Sequence, residues 1–499
     1  MKLPPLVHNR LSYAGATIAA LAWTAIAFLF IVSTLVGSRE APYAGLVIFI
    51  LLPVVLLGGL ALVPIGILRE RRQLRRTGIA SIPRFPVIDL NDARQRNLVG
   101  IFTVGSVALL FLSVFGSFQA YEATESVAFC GSTCHTVMEP EKVLHQRSPH
   151  ARVRCVDCHV GSGGDSFVKS KLAGTHQLFA LLTDDFPRPI PVPVHGLRPA
   201  RETCEQCHWR EQHADLMRFR QHVYFLPDEA NSRWEIGLLV NVGGKLDGGG
   251  GVHWHLDADH RVEYIATDEQ RQQIPWMRVT DRRSGETTEY NSTENPLSKE
   301  QIAAGPVRVM DCLDCHNRPS HKYDAPDEGL DKALLAGDID ASLPSIKQTG
   351  YDLLTTDYDS KEQADAAIEA GIRQFYQDNH PDLVESRAAD LARATAAIQA
   401  IYRGNFVPAM KASWKAYPDN ASHLMFPGCV RCHDGLHQNA DGAVVAQGCT
   451  TCHVITSQGR PGELQTSTDP KGLEFEHPPV PDLGDAWQDT PCTDCHAEQ

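Results

Sequence analysis

All 14 cysteines of this 499-residue chain stand in pairs, and a histidine directly follows the second cysteine of each pair. The first pair, Cys130 and Cys134 before His135, has three residues between its cysteines, and the other six pairs have two. In this arrangement two thiols can form thioethers to porphyrin vinyl groups, and the adjacent imidazole is placed to ligate the iron. The spacing therefore predicts seven covalently attached c-type haems. The six regular motifs are Cys155-Cys158-His159, Cys204-Cys207-His208, Cys312-Cys315-His316, Cys429-Cys432-His433, Cys449-Cys452-His453 and Cys492-Cys495-His496.

Three other uses of paired cysteines explain the pattern less well. A structural zinc site needs four ligands and does not require a histidine after every second cysteine. A disulfide framework leaves the seven histidines without a role, and a thioredoxin-like redox motif would occur once, in a βαβ setting. We therefore number the motifs, and the haems they predict, from one to seven in chain order.

Each haem iron can take a second axial ligand, and the chain has 22 histidines, of which seven belong to the motifs. Two histidines on each iron would fill its coordination sphere and favour electron transfer over substrate chemistry. Five histidines close to a motif in sequence are the leading candidates: His150, His321, His423, His437 and His477. Position favours the remaining candidates less: His145, His176, His195, His213, His222, His253, His255 and His260.

The first motif differs from the others in a second respect. Met138 lies three residues after His135, and methionine is scarce, with seven in the chain. A thioether is a soft ligand that raises the potential of haem iron. Two interpretations remain open: Met138 ligates the first iron, or it only packs against the haem.

Three uncharged apolar stretches, at 14–36, 44–68 and 98–118, precede the first motif, and each is long enough to cross a bilayer as a helix. Eight arginines lie between the second and third stretches, whereas the loop between the first and second has one. The positive-inside rule then places the amino terminus in the cytoplasm and every motif in the periplasm. Because haem is attached to such motifs outside the cytoplasm, topology and chemistry agree on a bacterial inner-membrane protein.

The charge is divided unevenly along the chain. Residues 1–119 carry 11 Lys and Arg against 4 Asp and Glu, and the remaining residues carry 35 against 56. The acidity of the exported part argues against nucleic acid as a partner and is compatible with a basic soluble cytochrome.

The fold class that follows is a multihaem cytochrome c with three N-terminal transmembrane helices, a largely helical and loop-rich periplasmic haem region, and a small inserted β-sheet. The sheet is predicted from β-rich runs at 234–242, 262–266, 274–280 and 287–290, and helices are predicted at 362–376 and 383–402. The predicted divisions are a membrane domain at 1–119, a domain with haems one to three at 120–220, a β-rich insertion at 221–305, a fourth-haem segment at 306–325, a helical spacer at 326–420 and a three-haem segment at 421–499.

Short segments around the first four motifs resemble one family. With a transmembrane helix that ends just before Cys130, they make residues 97–215 similar to the NapC/NirT family of membrane-anchored quinol dehydrogenases. The number of spans and haems resembles more closely the larger inner-membrane cytochromes of metal-respiring bacteria. The segments are Met138-Glu139-Pro140, Ser148-Pro149-His150-Ala151-Arg152, Phe167-Val168-Lys169-Ser170-Lys171, Arg198-Pro199-Ala200-Arg201 and Asn317-Arg318-Pro319-Ser320-His321.

The resemblance implies a site and its partners. It implies that the first haem lies at the membrane surface beside a quinol pocket, that Met138 can ligate its iron, and that Lys169 or Lys171 lines the pocket. A structural alternative for the lysines is a snorkelling role at the membrane interface. The resemblance also implies menaquinol or ubiquinol as substrate and periplasmic or outer-membrane cytochromes as acceptors.

Three functions fit the sequence. The first is a quinol dehydrogenase that passes electrons outward through its haems, or runs in the reverse direction. The second is a terminal reductase of a small nitrogen or sulfur oxyanion, which needs an iron with an open position. The third is a non-enzymatic relay subunit of a larger respiratory complex.

Overall fold

The computed structural model describes residues 9–36, 51–76, 89–132, 135–161, 164–193, 199–208, 217–243, 251–480, 484–488 and 490–496. The chain divides into two compact units, Met1–Met138 and Glu139–Gln499. The first unit therefore extends beyond the predicted membrane domain, which ends at residue 119, and includes the first motif. Cys134, His195 and His213 lie outside the described residues.

The described part of the first unit is helical. Two helices are long and apolar enough to cross a membrane, over Arg10–Leu29 and Leu52–Leu74. The second predicted span, 44–68, begins in residues outside the description. The third, 98–118, lies within one continuous helix, along which Ile101 and Phe111 are exposed. The helices are α1 (Arg10–Val36), α2 (Leu52–Arg76), α3 (Ala93–Thr124) and α4 (Val127–Ser132).

Small residues bring α1 and α2 close together. A Cβ atom added at Gly15 would lie 2.7 Å from the carbonyl oxygen of Gly59. The hydroxyl of Ser12 donates to the carbonyl oxygen of Val63 across the contact, at 3.1 Å. Glycine and serine at such a contact let helix backbones approach closely in a bilayer. Gly59 therefore serves helix packing in α2, and α2 continues through Pro64.

Short helices carry several of the motifs in the second unit. The second and seventh motifs coincide with α6 and α16, and Cys312 and Cys315 begin and end α10. Asp311 caps α10, because its carboxylate accepts a hydrogen bond from the backbone N–H of Leu313 at 2.9 Å. The helices that carry motifs or lie between them are α5 (His135–Arg147), which crosses the unit boundary, α6 (Cys155–His159), α7 (Gly164–Thr183), α8 (Ala200–Cys204), α9 (Lys299–Ala304), α10 (Cys312–Cys315) and α16 (Cys492–His496).

The described strands form two antiparallel sheets, with orders β1-β2-β8-β9 and β6-β3-β4-β5-β7. The four predicted runs correspond to β2–β5. The prediction of one self-contained sheet within the insertion at 221–305 was wrong. Strand β1 begins before residue 221, and β7, β8 and β9 come from the C-terminal segment. The central strand β2 is buried and needs partners on both edges. The strands are β1 (Met217–Phe225), β2 (Arg233–Asn241), β3 (His260–Ile265), β4 (Trp276–Asp281), β5 (Thr287–Ser292), β6 (Arg308–Val309), β7 (His437–Gln438), β8 (His453–Gly459) and β9 (Gln465–Thr466).

The predicted helical spacer is a helical body with its own core. Ile368 and Ile372 on one helix and Ile398 on another are almost fully buried, together with Leu330 and Leu354. Their spacing places the apolar residues of each helix on one face. The body contains α11 (Pro326–Ala336), α12 (Ile346–Thr355), α13 (Lys361–Asn379), α14 (Pro381–Ser386) and α15 (Ala388–Asn405).

Removing a side chain from this core should loosen the helical body alone. Ile368 is 0% exposed, so Ile368→Ala should lower the free energy of opening of α11–α15 by about 2–5 kcal/mol. Leu335, on α11 and 54% exposed, provides the control, because Leu335→Ala should change that free energy by less than about 0.5 kcal/mol. Native-state hydrogen exchange measures both. Equal effects of the two substitutions would contradict the described core.

Candidate haem-binding histidine pairs

Among the residues that the structure describes, six motif histidines lie beside a second histidine from elsewhere in the chain, and each has a different partner. The distances between ring centroids fall in a narrow range, from 5.8 to 6.4 Å. The pairs, with the motif histidine second, are His321 and His159 at 6.2 Å, His150 and His208 at 6.0 Å, His253 and His316 at 6.4 Å, His255 and His433 at 5.8 Å, His423 and His453 at 6.2 Å, and His477 and His496 at 6.2 Å.

These distances fit two imidazoles on opposite faces of one iron. A ligating imidazole nitrogen lies about 2.0 Å from a metal and about 1.2 Å from its own ring centroid, so two opposed rings have centroids about 6.4 Å apart. The six pairs therefore have room for one metal atom between the rings. Seven cysteine motifs and six such pairs together fit the c-type haem that the sequence predicts.

Hydrogen bonds orient several of the paired rings. Nδ1 of His150 lies 3.2 Å from the carbonyl oxygen of Pro319, and Nδ1 of His255 lies 2.9 Å from that of Val252. Nδ1 of His433 and Nδ1 of His477 also lie beside main-chain carbonyl oxygens. A proton on Nδ1 satisfies these bonds and leaves the Nε2 lone pair available for a metal.

Burial keeps several of these rings in the form that binds metals. It lowers the pKa of His159, and the nearby His321 lowers it further, against the opposing charge of Glu141. Burial is also the main cause of the lowered pKa of His255, His316 and His496. A lowered pKa favours the neutral imidazole at neutral pH, and only the neutral ring offers a lone pair to iron.

A short segment after the fourth motif connects three of the pairs. His316 faces His253, and five residues later His321 faces His159. Between them, the carbonyl oxygen of Pro319 holds Nδ1 of His150, the partner of the third motif. The second, third and fourth motifs are therefore neighbours around residues 316–321.

Contacts between motif cysteines also place the second motif beside the third and the third beside the fourth. The thiols of Cys204 and Cys312, from the third and fourth motifs, lie close enough that each affects the pKa of the other. The charge of Cys207 also affects the pKa of Cys158, which burial mainly raises. Motifs two, three and four are thus consecutive in space as well as in sequence.

The fourth and fifth motifs are joined by a buried polar cluster around Asp314, which lies inside the fourth motif and is 3% exposed. Its carboxylate accepts hydrogen bonds from the Tyr264 hydroxyl at 2.6 Å and from Arg308 Nε at 2.8 Å. Its main-chain oxygen accepts from Arg431 of the fifth motif at 2.7 Å. This network fixes the two motifs relative to each other and to the second sheet.

One 3₁₀ helix, Val252–Leu256, supplies partners to both of these motifs. His253 and His255 lie two positions apart, so their side chains leave the helix in different directions. They face His316 and His433 respectively. Sequence reasoning ranked both as weaker candidates, because neither lies close to a motif in the chain.

Of the five leading sequence candidates, four lie in these pairs and His437 does not. His437 is 2% exposed, its Nδ1 lies 2.8 Å from Asp434, and its Nε2 lies 2.7 Å from the carbonyl oxygen of Ile274. Both ring nitrogens therefore have protein partners, and no described ring pair includes His437. Its position near the fifth motif reflects the pairing of β7 with β5.

Other candidates occupy different surroundings. His176 is exposed on α7, and His222 stacks on Tyr224 in β1 with a centroid distance of 6.2 Å. His145 lies 6.4 Å from His321, but its Nε2 lies 2.9 Å from the carbonyl oxygen of Val153. His213 lies outside the described residues. The described contacts place neither His176 nor His222 in a ring pair with a motif histidine.

The first motif lies at the end of the first unit. Cys130 belongs to α4, and His135 begins α5, which also contains Met138, 36% exposed. Positions three apart on a helix lie on the same face. Met138 therefore lies about one turn along the helix from His135, and its ligation of the first iron stays a prediction.

The two candidate quinol-site lysines lie on α7 in the second unit. Lys169 is exposed and Lys171 is partly buried. Residues two apart on a helix do not face the same direction. At most one of the two lysines can therefore line a given pocket while α7 stays helical.

The two histidines that flank the fifth motif provide a direct test of the pairs. In the reduced protein, His423→Ala should open one iron position and allow binding of about one equivalent of carbon monoxide, because His423 faces His453. His437→Gln should add no carbon monoxide binding. Optical titration measures both. Carbon monoxide binding to the His437 variant alone would reverse the assignment.

Comparison with known proteins adds two findings. Residues 93–189 match the N-terminal region of the NapC/NirT cytochrome c family. The chain is also 41% identical over 495 residues to the cytochrome c-type protein ImcH of Geobacter sulfurreducens, covering 98% of this chain and 95% of that protein. No solved structure matches.

Proposed function

This chain belongs to the NapC/NirT cytochrome c family, and we propose that it is a seven-haem inner-membrane quinol dehydrogenase. In this proposal it oxidises menaquinol or ubiquinol and passes the electrons to periplasmic or outer-membrane cytochromes. The amino terminus is cytoplasmic, three helices span the membrane, and the haem-bearing residues are periplasmic. The observation that carries the proposal is the set of six histidine pairs.

The pairs support electron transfer rather than substrate chemistry. Two imidazoles fill the axial positions of an iron, so these six sites would offer no position to an oxyanion substrate. Haem iron would supply a reversible change between the ferric and ferrous states. The protein's contribution is to hold one histidine on each side and to keep successive motifs in contact, which supports transfer along the order two, three, four and five.

The distal ligands in this proposal come from the observed pairs. They are His321, His150, His253, His255, His423 and His477 for haems two to seven in chain order. For haem one, either His135 or Met138 would occupy one axial position. That iron is the place where a different ligand set, and so a different potential, would arise.

Quinol oxidation releases two electrons and two protons for each quinone formed. The first haem would take the electrons one at a time, and a lysine of α7 would bind the quinol head group. An ammonium group donates hydrogen bonds to a quinol oxygen and favours loss of its proton. Exposure makes Lys169 the more accessible of the two lysines, whereas partial burial makes Lys171 the better desolvated one.

Stopped-flow mixing of the oxidised protein with a menaquinol analogue tests the proposal. We expect rapid haem reduction, slowed about tenfold or more by one of the two substitutions Lys169→Ala and Lys171→Ala, because only one lysine can face the pocket. Lys471→Ala, an exposed position in the C-terminal segment, should leave the rate unchanged. Complete reduction by dithionite without any reduction by quinol would overturn the quinol dehydrogenase and leave a relay subunit or a reductase.

Carbon monoxide distinguishes the terminal reductase. The six pairs predict that haems two to seven of the unaltered reduced protein bind none, because both axial positions of each iron are filled. Any binding should therefore be limited to about one equivalent, assigned to haem one. Binding of two or more equivalents would show open irons among the paired sites and would favour a reductase.

A further inference from the structure

The distal histidine assigned to haem two has a carboxylate neighbour within hydrogen-bond distance. Nδ1 of His321 lies 2.9 Å from Oε2 of Glu141 and 3.1 Å from the main-chain oxygen of the same residue. The Nδ1–H group of His321 is therefore directed at Glu141 through both a carbonyl and a carboxylate.

The other paired rings provide an internal comparison. Where the structure defines an Nδ1 partner for them, at His150, His255, His433 and His477, that partner is a main-chain carbonyl oxygen. A carbonyl fixes the tautomer and orientation of a ring. A carboxylate does the same and, in addition, places a full negative charge against it.

Arg318 forms an ion pair with the same carboxylate. Its Nη2 lies 3.6 Å from Oε1 of Glu141, and its Nε donates to the main-chain oxygen of His321 at 2.8 Å. The guanidinium is 8% exposed and stacks 4.5 Å from the ring centroid of Tyr417. Arginine and histidine therefore contact opposite oxygens of one carboxylate, and the His321 ring is the nearer of the two.

We propose that Glu141 is a positioning residue for haem two that lowers its reduction potential through His321. The inference rests on the ligand pairs of the proposed function. A hydrogen bond to a carboxylate makes an imidazole more basic and a stronger donor to its metal. Stronger donation stabilises the more positive ferric iron, and hydrogen bonding around the ligands is one of the levers that set haem potentials.

The lowered potential gives haem two a distinct role in the chain of haems. Its motif is in contact with the third motif and follows the first in sequence. A site that stays oxidised while its neighbours are reduced remains ready to accept each electron that leaves the quinol site. The low potential of haem two also makes electron transfer from haem two to the next haem depend on the potential of that haem.

Glu141→Gln tests the proposal in the full-length, haem-loaded protein, because glutamine keeps the shape of the side chain and removes its charge. A spectroscopic redox titration should show one haem shifting to higher potential, with its reduction equilibrium changed about tenfold, or ~59 mV for one electron. Glu369→Gln is the matched control. Glu369 lies in the helical body, its side chain is 58% exposed, and it pairs with Arg373 at 2.9 Å, so all midpoints should stay unchanged.

A second variant separates the two proposals. His321→Met should replace one low-spin bis-histidine signal in the electron paramagnetic resonance spectrum, and Glu141→Gln should perturb the same signal. If His321→Met alters no haem, the ligand pair and the inference that rests on it both fail. If it alters one haem but Glu141→Gln shifts no midpoint, the pair stands and the role of Glu141 is refuted.

Discussion

The buried carboxylate of Asp314 is the interaction on which the arrangement of the second unit depends. It lies inside the fourth motif, accepts hydrogen bonds from Tyr264 of β3 and Arg308 of β6, and its main chain binds Arg431 of the fifth motif. A buried charge is tolerated only when such partners surround it, and removing one of them typically costs about 3–5 kcal/mol. The second sheet is thereby joined to two motifs at one point.

The sheets and the helical body contribute differently to the second unit. The second sheet orients motifs four and five, and β8 of the first sheet begins at His453 of the sixth motif. The helical body has its own apolar core, which includes Ile368, Ile372 and Ile398. Regular structure therefore supplies rigidity, while loops and short helices supply the histidines.

Local chemistry was predictable from the sequence, and spatial partnership was not. The motifs, four of the paired histidines and β2–β5 follow from spacing and composition alone. His253 and His255 were ranked low because they lie far in sequence from His316 and His433. Distance along the chain does not reveal which residues the fold brings together. His437 was ranked high for the same reason, although Asp434 and a carbonyl occupy its ring. Strands β7 and β8 were missed because they pair with β5 and β2, which lie far away in sequence.

The segment 316–321 has a consequence for how the protein matures. Under the proposed pairing, haems four and five find their partners, His253 and His255, already synthesised when their own motifs appear. Haem two has the opposite order, because its motif precedes His321 by a segment that contains β1–β6. The second site would therefore wait, half-ligated, until the fourth motif has been exported. Under the same pairing, a chain truncated before that point would carry its second haem without its final ligand.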